Sequence, residues 1–546
     1  MINDIYLQPM FLTNFLWLDR KFTNCDAVLY TCIIIYTLKH RSIMAFLKNV
    51  FFEKPEIFGK HKIYKSQYKT GEIYWGLGIE HELYLEFEKK TAVSKRDFLT
   101  KHKEERYSVD YFSNYKPEYF KTAMKEFASN IPTDEIELPI LLKSHSFSKT
   151  DSKNEPLTQY TKEAKSNPKF SGKTFLETLQ DADSYFKDSY DIKWMFDGDV
   201  FEFPTRKFYK VGLDDVLNEL STVKQEFIEH LNTVCEKEKI FQEYGSLKIM
   251  EKNHAFVKYM TNLKNVAMFN NGTLHYNLTL PTELDSLGTI KNREKFVKDH
   301  RKGIRAIQWV EPFLIGLYGS PDPFSRLDPD LFSAASQRCA ISRYIGLGTY
   351  DTDAMNCGKI LTRYLDEMEC SKNDYWWFHQ YYKENGYKKL DEIGMDINFN
   401  KHYNHGIEIR FLDHLSDEKD IAETFEFLIY LMDFALESDW ILSYENPGAS
   451  CVWNGLLVNV MKQGPNYILS EEEAGFFGDM FSMEKPFLTN RLRDVFDGIF
   501  NHLICRYTSF DVDMNVQHIG AFSKVTLKNK GKNAESVDSC FGCCPF

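Results

Sequence analysis

Four short runs of alternating apolar and polar residues constrain the fold of this chain more than any other feature. Each run alternates with period two, as a β-strand does when one of its faces is buried and the other carries polar groups. The runs are residues 79–86, 199–203, 273–280 and 407–411. If the four strands lie in one sheet, their polar side chains share one surface. These side chains are Glu80, Glu82, Glu202, His275, Glu408 and Arg410.

The length and charge of the chain limit the classes of protein to which it can belong. A chain of 546 residues suggests three or four domains by length alone. The four runs nevertheless extend from Glu80 to Arg410, which favours one large domain with insertions. The net charge is −12, with 67 basic and 79 acidic residues, whereas a protein that neutralises phosphate backbones is basic. We therefore expect no nucleic-acid partner.

The eleven cysteines and the N-terminal residues bear on the cellular location. Most cysteines are scattered without paired spacing, which indicates reduced thiols and a cytoplasmic protein. The apolar run from Ala27 to Leu38 is shorter than the about 20 residues that span a bilayer. It also lies too far from the N-terminus for a signal peptide. We interpret residues 1–60 as an extension that docks on the body or precedes a natural start at Met44, with a membrane anchor as the alternative.

Composition divides the remainder into a body, an insertion and a tail. We predict a main domain over residues 61–515. Residues 97–190 are polar, rich in lysine and interrupted by turn-forming prolines, which predicts an insertion of short helices and ordered loops or a lid. Residues 516–546 are polar and contain glycine, lysine and serine, so we expect a flexible tail.

Short sequence motifs predict turns between strands, and the spacing of apolar residues predicts two helices. Asp197-Gly198 and Asn271-Gly272 are two-residue hairpin signals that stand just before two of the runs, which favours an antiparallel sheet. Apolar residues recur at helical spacing over residues 291–318, and Gly319-Ser320-Pro321 ends that helix. Residues 420–437 form a second strongly apolar helix.

Two familiar motifs are incomplete. Ser171-Gly172-Lys173-Thr174 resembles the end of a phosphate-binding loop, but the first glycine of that motif would fall at Asn167. His81-Glu82 begins like a zinc-protease motif, but Leu85 occupies the position of its second histidine.

The acidic residues of the runs are candidate metal ligands. Glu80 and Glu82 are two residues apart, so on a strand their carboxylates lie about 6 to 7 Å apart on one face. Carboxylates at this separation can serve one or two hard divalent cations, although a solvated acidic strand edge is the alternative. Turn chemistry explains Asp197 and Asp199. Glu202 stands between two phenylalanines and is harder to explain by solvation.

A histidine and an arginine extend this set. His275 lies on the polar side of the most regular run, where a hydrogen-bonded structural histidine or a metal ligand is expected. Glu408 and Arg410 share a face, and a carboxylate beside a guanidinium can hold a metal ion and a phosphate. A cross-strand salt bridge is the alternative. Arg305, Arg338 and Arg343 follow on or near helices, and arginine forks suit phosphate oxygens.

The order of these motifs resembles the glutamine synthetase superfamily, and within it the glutamate–cysteine ligase and amidoligase branch. The resemblance covers roughly residues 72 to 415 and depends on order and spacing, since each motif is short. In order, the motifs are Gly78-x-Glu80-x-Glu82, Glu202-Phe203-Pro204-Thr205, Gly272-Thr273-Leu274-His275, Gly319-Ser320-Pro321-Asp322-Pro323-Phe324 and Ile407-Glu408-Ile409-Arg410-Phe411.

The resemblance implies an α+β fold in which a curved antiparallel sheet, flanked by helices, forms a funnel for ATP and Mg²⁺ or Mn²⁺. It implies an ATP-dependent ligase that joins a carboxylate to an amine through an acyl phosphate. The implied metal ligands are Glu80, Glu82, Glu202, His275 and Glu408. Arg410 would contact the transferring phosphate, and Arg338 and Arg343 would contact ATP phosphates or the substrate carboxylate.

Two other functions remain open at this point. A phosphotransferase of the guanidino-kinase type would use the same sheet without forming an amide, and a non-catalytic relative would act as a binding protein. The expected partners are small-molecule or peptide carboxylates and amines, and the oligomeric state is not indicated.

The C-terminal residues Cys543-Cys544-Pro545-Phe546 have a cysteine at the position of a prenylation box. S-acylation of Cys540, Cys543 or Cys544 is a further way to attach the chain to a membrane. We favour unmodified thiols, because cysteine and proline are poor residues within such a box.

Overall fold

The computed structural model shows, among the residues it describes, strands and helices arranged around two large β-sheets, with a third sheet of two short strands at residues 510–511 and 516–517. It describes residues 73–100, 124–142, 175–197, 200–251, 256–260, 262–268, 272–286, 290–321, 335–336, 397–399, 406–438, 447–483, 487–508, 510–511, 516–517 and 520–527. The predicted extension over residues 1–60, with the apolar run from Ala27 to Leu38, lies outside the described residues, as do Arg338, Arg343, Asp199 and the C-terminal cysteines.

The strands in chain order are β1 (Ile73–Leu83), β2 (Leu85–Ser94), β3 (Glu135–Leu142), β4 (Met195–Asp197), β5 (Val200–Pro204), β6 (Leu247–Ile249), β7 (Phe256–Tyr259), β8 (Asn262–Met268), β9 (Thr273–Glu283), β10 (Ile397–Phe399), β11 (Ile407–Asp413), β12 (Phe510–Asp511) and β13 (Val516–Gln517). The labelled helices are α1 (Lys95–Thr100), α2 (Phe175–Ala182), α3 (Tyr185–Asp188), α4 (Leu213–Lys237), α5 (Ile240–Tyr244), α6 (Arg293–Tyr318), α7 (Glu418–Glu437), α8 (Pro447–Gln463), α9 (Glu471–Met480), α10 (Leu492–Thr508) and α11 (Ser523–Thr526). The mixture of helices and sheets agrees with the predicted α+β class.

The first sheet contains all four of the alternating runs. Its strand order is β10-β11-β9-β1-β5-β4, and every neighbouring pair is antiparallel. The antiparallel prediction is therefore confirmed for this sheet. Directly opposite residues share a face, so the register decides which side chains meet.

The second sheet has the order β6-β2-β3-β7-β8 and is mixed, because β3 and β7 run parallel. Its central strand β3 comes from residues 97–190, so this part of the predicted insertion or lid is integral to a sheet. The predicted strand over residues 79–86 is also corrected. It breaks at Tyr84, after which the chain enters the second sheet and takes Glu86 with it.

The two hairpin signals have different outcomes. Asp197 pairs with Val200, so β4 and β5 form the predicted hairpin. The hairpin prediction at Asn271-Gly272 is wrong, because β8 pairs in the second sheet and β9 in the first. Glycine is needed at 272 for another reason: a Cβ there would lie 2.5 Å from the carbonyl oxygen of Glu82.

Helices cover one face of the first sheet, which we call the helix face and define by Ile79, Tyr276 and Ile409. The hydroxyl of Tyr276 donates to the carbonyl oxygen of Ile421 in α7 over 2.9 Å. The rings of Phe203 and Phe227 bring α4 onto the same face, with centroids 5.2 Å apart. The opposite face, which we call the acidic face, carries Glu80, Glu82, Glu202, His275 and Glu408.

Both predicted helices are confirmed as α6 and α7, and α6 ends at Gly319 as expected. Pro312 lies inside α6, where it has no N–H to donate to the carbonyl oxygen of Gln308. The indole Nε1 of Trp453 donates to that oxygen instead, over 2.7 Å. The Trp453 side chain of α8 thus gives the carbonyl oxygen of Gln308 the hydrogen bond that the proline cannot supply.

Part of the predicted flexible tail is docked on α7. The carboxylate of Asp433 accepts hydrogen bonds from the backbone N–H of Phe522 at 2.6 Å and of Ser523 at 2.9 Å. Residues 520–527 are therefore held by a buried carboxylate, and the prediction of a tail from residue 516 is corrected to that extent. In the described part of the chain, every helix is too short or too polar to cross a bilayer.

Candidate metal site

Three neighbouring strands bring Glu80, His275 and Glu408 together on the acidic face. Glu80 of β1 stands directly opposite His275 of β9. Glu408 of β11 stands opposite Asn277, two residues further along β9 and on the same face as His275. One ligand atom from each of the three residues lies within 4.8 Å of the others. Residues separated by more than 300 positions in sequence thus form one cluster, which we call the triad.

The distances within the triad suit a bound cation better than hydrogen bonds. Nδ1 of His275 is 3.5 Å from Oε2 of Glu80 and 3.9 Å from Oε1 of Glu408. Good N–H···O hydrogen bonds are about 2.7 to 3.2 Å long. In an octahedral shell with metal–ligand distances of about 2.1 Å, adjacent ligand atoms are about 3 Å apart and opposite ones about 4.2 Å. The observed distances lie near this range.

The burial of the triad supports the same interpretation. Glu80, His275 and Glu408 are 8%, 3% and 1% exposed, respectively. Burying a carboxylate away from water is costly unless a cation or hydrogen-bond donors compensate its charge. Two buried carboxylates that face one imidazole nitrogen therefore fit a divalent cation. Carboxylates suit Mg²⁺ and Mn²⁺, and an imidazole nitrogen favours a transition metal.

Glu82 and Glu202 form a second acidic pair one row further along the strands. The two residues stand directly opposite each other on β1 and β5. The hydroxyl of Thr273 donates a short hydrogen bond to Oε2 of Glu82. The five predicted metal ligands thus share the acidic face, but they divide into the triad and this pair.

Arg410 lies beside the triad at an irregularity of β11. Ile409 pairs with Tyr276 and Leu412 with Leu274, so Arg410 and Phe411 together face the single residue His275. Such a β-bulge re-aims the side chains of the bulged strand. Phe411 is fully buried, whereas Arg410 is partly exposed.

The structure does not bring Arg305 to the triad. Arg305 lies on α6, which packs on the helix face of the sheet: a Cβ on Gly303 would lie 3.1 Å from Cδ1 of Ile407. Ile407 pairs with Leu278 and so points away from the acidic face. The prediction that Arg305 contacts phosphate is therefore corrected, since the apolar stripe of α6 places the helix behind the sheet.

Sequence reasoning missed three polar residues of the acidic face. Thr273 contacts Glu82, and Asn277 lies between Gly78 and Glu408 in the register. Thr273 and Asn277 occupy polar positions of the regular alternation over residues 273–280, so the sequence could have indicated them. Asp413, opposite Thr273, was hidden because the bulge interrupts the alternation of β11. Its carboxylate accepts from the N–H of Ser320 at 2.7 Å and from the hydroxyl of Ser336 at 3.3 Å.

Gly78 of the first motif makes room for an aromatic ring. A Cβ on Gly78 would lie 2.8 Å from Cδ2 of Phe208, and one on Gly76 would overlap the same ring. The Phe208 ring therefore lies directly against the β1 backbone, next to the row that holds Asn277 and Glu408. The glycines are needed for this close approach.

Comparisons with known proteins give one informative relationship. No family model matches this chain. It is 36% identical over 420 residues to "Uncharacterized protein R704" of Acanthamoeba polyphaga mimivirus, a match that covers 77% of this chain and 72% of the viral protein. At this identity and coverage, the chain belongs to the same family as the mimivirus protein R704.

Proposed function

We propose that the protein is an ATP- and divalent-metal-dependent ligase that joins a carboxylate to an amine, as in the glutamine synthetase superfamily. The observation that carries the proposal is the convergence of Glu80, His275 and Glu408 on three adjacent antiparallel strands. Their motifs occur in the chain in the order that the superfamily resemblance requires. The reaction would take place in the cytoplasm, where ATP is available and thiols stay reduced.

The proposed reaction has two steps. A carboxylate oxygen of the first substrate attacks the γ-phosphorus of ATP, which forms an acyl phosphate and releases ADP. The amine nitrogen of the second substrate then attacks the acyl carbon, phosphate leaves, and the nitrogen loses a proton to form the amide. The substrates are small-molecule or peptide carboxylates and amines.

The acidic face supplies the binding groups for this chemistry. The triad would hold one divalent cation, and Glu82 with Glu202 would contribute to a second. Divalent cations bound there would neutralise the charge that develops on ATP phosphate oxygens. Arg410, partly exposed beside His275, would bind an oxygen of the transferring phosphate group. The ladder hydrogen bonds of the sheet hold these side chains in fixed positions, which favours catalysis by orientation.

Metal binding gives the first test of the proposal. Mn²⁺ titration followed by EPR should show a tight site in the wild-type protein. Glu408→Gln and Glu80→Gln should each weaken Mn²⁺ binding at least about 100-fold. The loss of a residue that only hydrogen-bonds to a metal ligand costs less, about 10- to 100-fold. Glu86→Gln is the matched control, because Glu86 is a buried glutamate of the second sheet. Equal Mn²⁺ affinity in the wild type and both triad variants would refute the site.

Turnover gives the second test and separates the alternatives. ADP release should be screened over amino acids and amines, with mass spectrometry of the products. An amide with stoichiometric ADP supports the ligase, whereas ADP with a phosphorylated guanidine and no amide supports the phosphotransferase. Mn²⁺ binding without ATP turnover would leave the chain as a binding protein. Glu82→Gln and Glu408→Gln should each abolish turnover while the far-UV circular dichroism stays unchanged.

A further inference from the structure

The two ring nitrogens of His275 have different surroundings. Nε2 lies 3.1 Å from Oγ1 of Thr273, within hydrogen-bond distance. Nδ1 faces Oε2 of Glu80 and Oε1 of Glu408 at longer distances of 3.5 and 3.9 Å. The imidazole ring therefore stands between Thr273 on one side and the two triad carboxylates on the other.

The hydrogen bonds of Thr273 determine which nitrogen of His275 carries the proton. A threonine hydroxyl has a single hydrogen to donate. Thr273 donates it to Oε2 of Glu82, so towards His275 the hydroxyl oxygen can only accept. Nε2 must then carry the hydrogen and donate it to Thr273. In the neutral ring this leaves the lone pair of Nδ1 directed at the triad carboxylates.

We propose that Thr273 is the positioning residue of the metal site. Its hydroxyl fixes the tautomer and orientation of His275, so that Nδ1 is the nitrogen that binds the ion. This inference rests on the proposed metal site. Thr273 is fully buried, so solvent does not compete for its hydroxyl. A lone pair that faces two carboxylate oxygens is unfavourable unless a proton or a metal ion lies between them. The distances of 3.5 and 3.9 Å on this side of the ring are longer than those of a good hydrogen bond, which favours the metal ion.

The same hydroxyl links the triad to the second acidic pair. Thr273 contacts Glu82 and His275 at once, so Glu82 lies on the Nε2 side of the ring and Glu408 on the Nδ1 side. Glu80, His275 and Glu408 would therefore hold the ion of the triad, while Oε2 of Glu82 accepts the hydrogen bond of Thr273.

Thr273→Val tests the proposal, because valine keeps the β-branched shape and replaces the hydroxyl with a methyl group that cannot form a hydrogen bond. We expect Mn²⁺ affinity, measured by EPR titration, to fall about 10- to 100-fold, as for other partners of metal-bound histidines. Thr273→Ser restores a hydroxyl and should recover the wild-type affinity. Wild-type Mn²⁺ affinity in Thr273→Val would overturn the proposal, as would a serine variant as weak as the valine variant.

A spectroscopic readout identifies the nitrogen that binds the ion. With Cu²⁺ as the probe ion, pulsed EPR detects the remote nitrogen of a bound imidazole, and its quadrupole coupling depends on the hydrogen bond of its N–H group. We expect one coupled imidazole with a hydrogen-bonded remote N–H in the wild type, and a changed coupling in Thr273→Val. A coupling that is the same in both proteins would contradict the role of Thr273. The wild-type spectrum remains informative if the valine variant does not fold.

The outcomes separate this inference from the proposed function. If the wild-type protein binds neither Mn²⁺ nor Cu²⁺ at the triad, the metal site itself fails and the inference fails with it. If the wild type binds Mn²⁺ and Glu408→Gln does not, but Thr273→Val binds normally, only the role of Thr273 is overturned.

Discussion

Nε2 of His81 lies 2.9 Å from Nδ1 of His414, on the helix face of the sheet and directly behind Glu80 and Glu82. Nε2 of His414 lies 2.9 Å from the carbonyl oxygen of Met250, to which it must donate a hydrogen. Nδ1 of His414 is then an acceptor for the N–H of His81. Burial lowers the pKa of both imidazoles, so both rings are neutral at pH 7, and together they connect β1 to the residue that follows β6 in the second sheet.

Because the buried histidines are neutral, we predict that the protein is less stable at acidic pH. Burial lowers the pKa of His414 to about 4, although its bond to Met250 opposes the shift, and burial lowers the pKa of His300 to about 3. In the unfolded chain both titrate near 6.5. Below that pH the unfolded chain binds protons that the native protein does not, so the free energy of unfolding falls. From pH 7 to pH 5 we expect a loss of about 2 kcal/mol for each histidine, measured by urea denaturation.

A variant of His300 isolates one contribution to this loss. Nε2 of His300 accepts from the N–H of Leu280 at 3.0 Å, and Nδ1 donates to the carbonyl oxygen of Phe296 at 2.7 Å. His300→Gln keeps a donor and an acceptor but does not titrate. Its free energy of unfolding should therefore fall between pH 7 and pH 5 by about 2 kcal/mol less than that of the wild type. An unchanged fall would show that His300 is not the source.

The bond from Trp453 to Gln308 predicts an energetic coupling with Pro312. Trp453→Phe leaves the carbonyl oxygen of Gln308 without its donor, which should lower the free energy of unfolding by about 1 to 3 kcal/mol. Pro312→Ala supplies an N–H that can bond to the same oxygen within α6. Urea denaturation of the four proteins should therefore show a smaller effect of Trp453→Phe in the Pro312→Ala background. The loss of indole volume is common to both backgrounds, so an equal effect in the two would contradict this account.

Periodicity and motif order predicted much of the first sheet, because each strand has one buried and one polar face. The residues around Glu80, His275 and Glu408 alternate cleanly, and a strand register that buries the apolar side brings their polar sides together. The helices α6 and α7 were likewise readable from apolar spacing and from the terminator at Gly319.

Features that depend on contacts between distant segments were not predictable from the sequence. The strand breaks at Tyr84, which shares a buried cluster with Leu141 and Val257 of the second sheet, and no local turn signal marks this position. Gly272 looked like a hairpin residue, but its role is to admit the backbone of Glu82. The bulge at Arg410 shifted the alternation of β11, so Asp413 was not recognised as a residue of the acidic face.

The hydrogen bonds of Asp413 connect the acidic face to the residues that follow α6. Asp413→Ala removes the acceptor for the N–H of Ser320 and the hydroxyl of Ser336. We expect the free energy of unfolding to fall by about 1 to 3 kcal/mol and the amide of Ser320 to exchange its hydrogen faster. Hydrogen-exchange mass spectrometry of a peptide covering 313–321 measures this. Asp413→Asn retains one acceptor oxygen and should protect Ser320 better than alanine does. Equal exchange in all three proteins would mean that Asp413 does not hold this segment.

We predict that a variant of Asn277 keeps the stability of the unliganded protein but binds the nucleotide less tightly. Among the described residues its Nδ2 has no hydrogen-bond partner, although the side chain is buried between Gly78 and Glu408 in the register. A buried donor without a partner destabilises the unliganded protein, so Asn277→Leu should leave the melting temperature unchanged or raise it. Under the proposed function, this N–H donates to an oxygen of the bound nucleotide. The thermal shift produced by Mn²⁺ with a non-hydrolysable ATP analogue should therefore shrink in Asn277→Leu.

Gln308→Leu is the matched control for Asn277→Leu. The Nε2 atom of Gln308 is likewise buried and without a hydrogen-bond partner among the described residues, but it lies on α6, behind the sheet. This variant should also keep or raise the melting temperature of the unliganded protein. Its thermal shift with Mn²⁺ and the ATP analogue should equal that of the wild type, because Gln308 lies in the interior of α6, which packs on the helix face of the sheet. If both leucine variants kept the full shift, Asn277 would not contact the nucleotide; if both lost it, the effect would not be specific to the site.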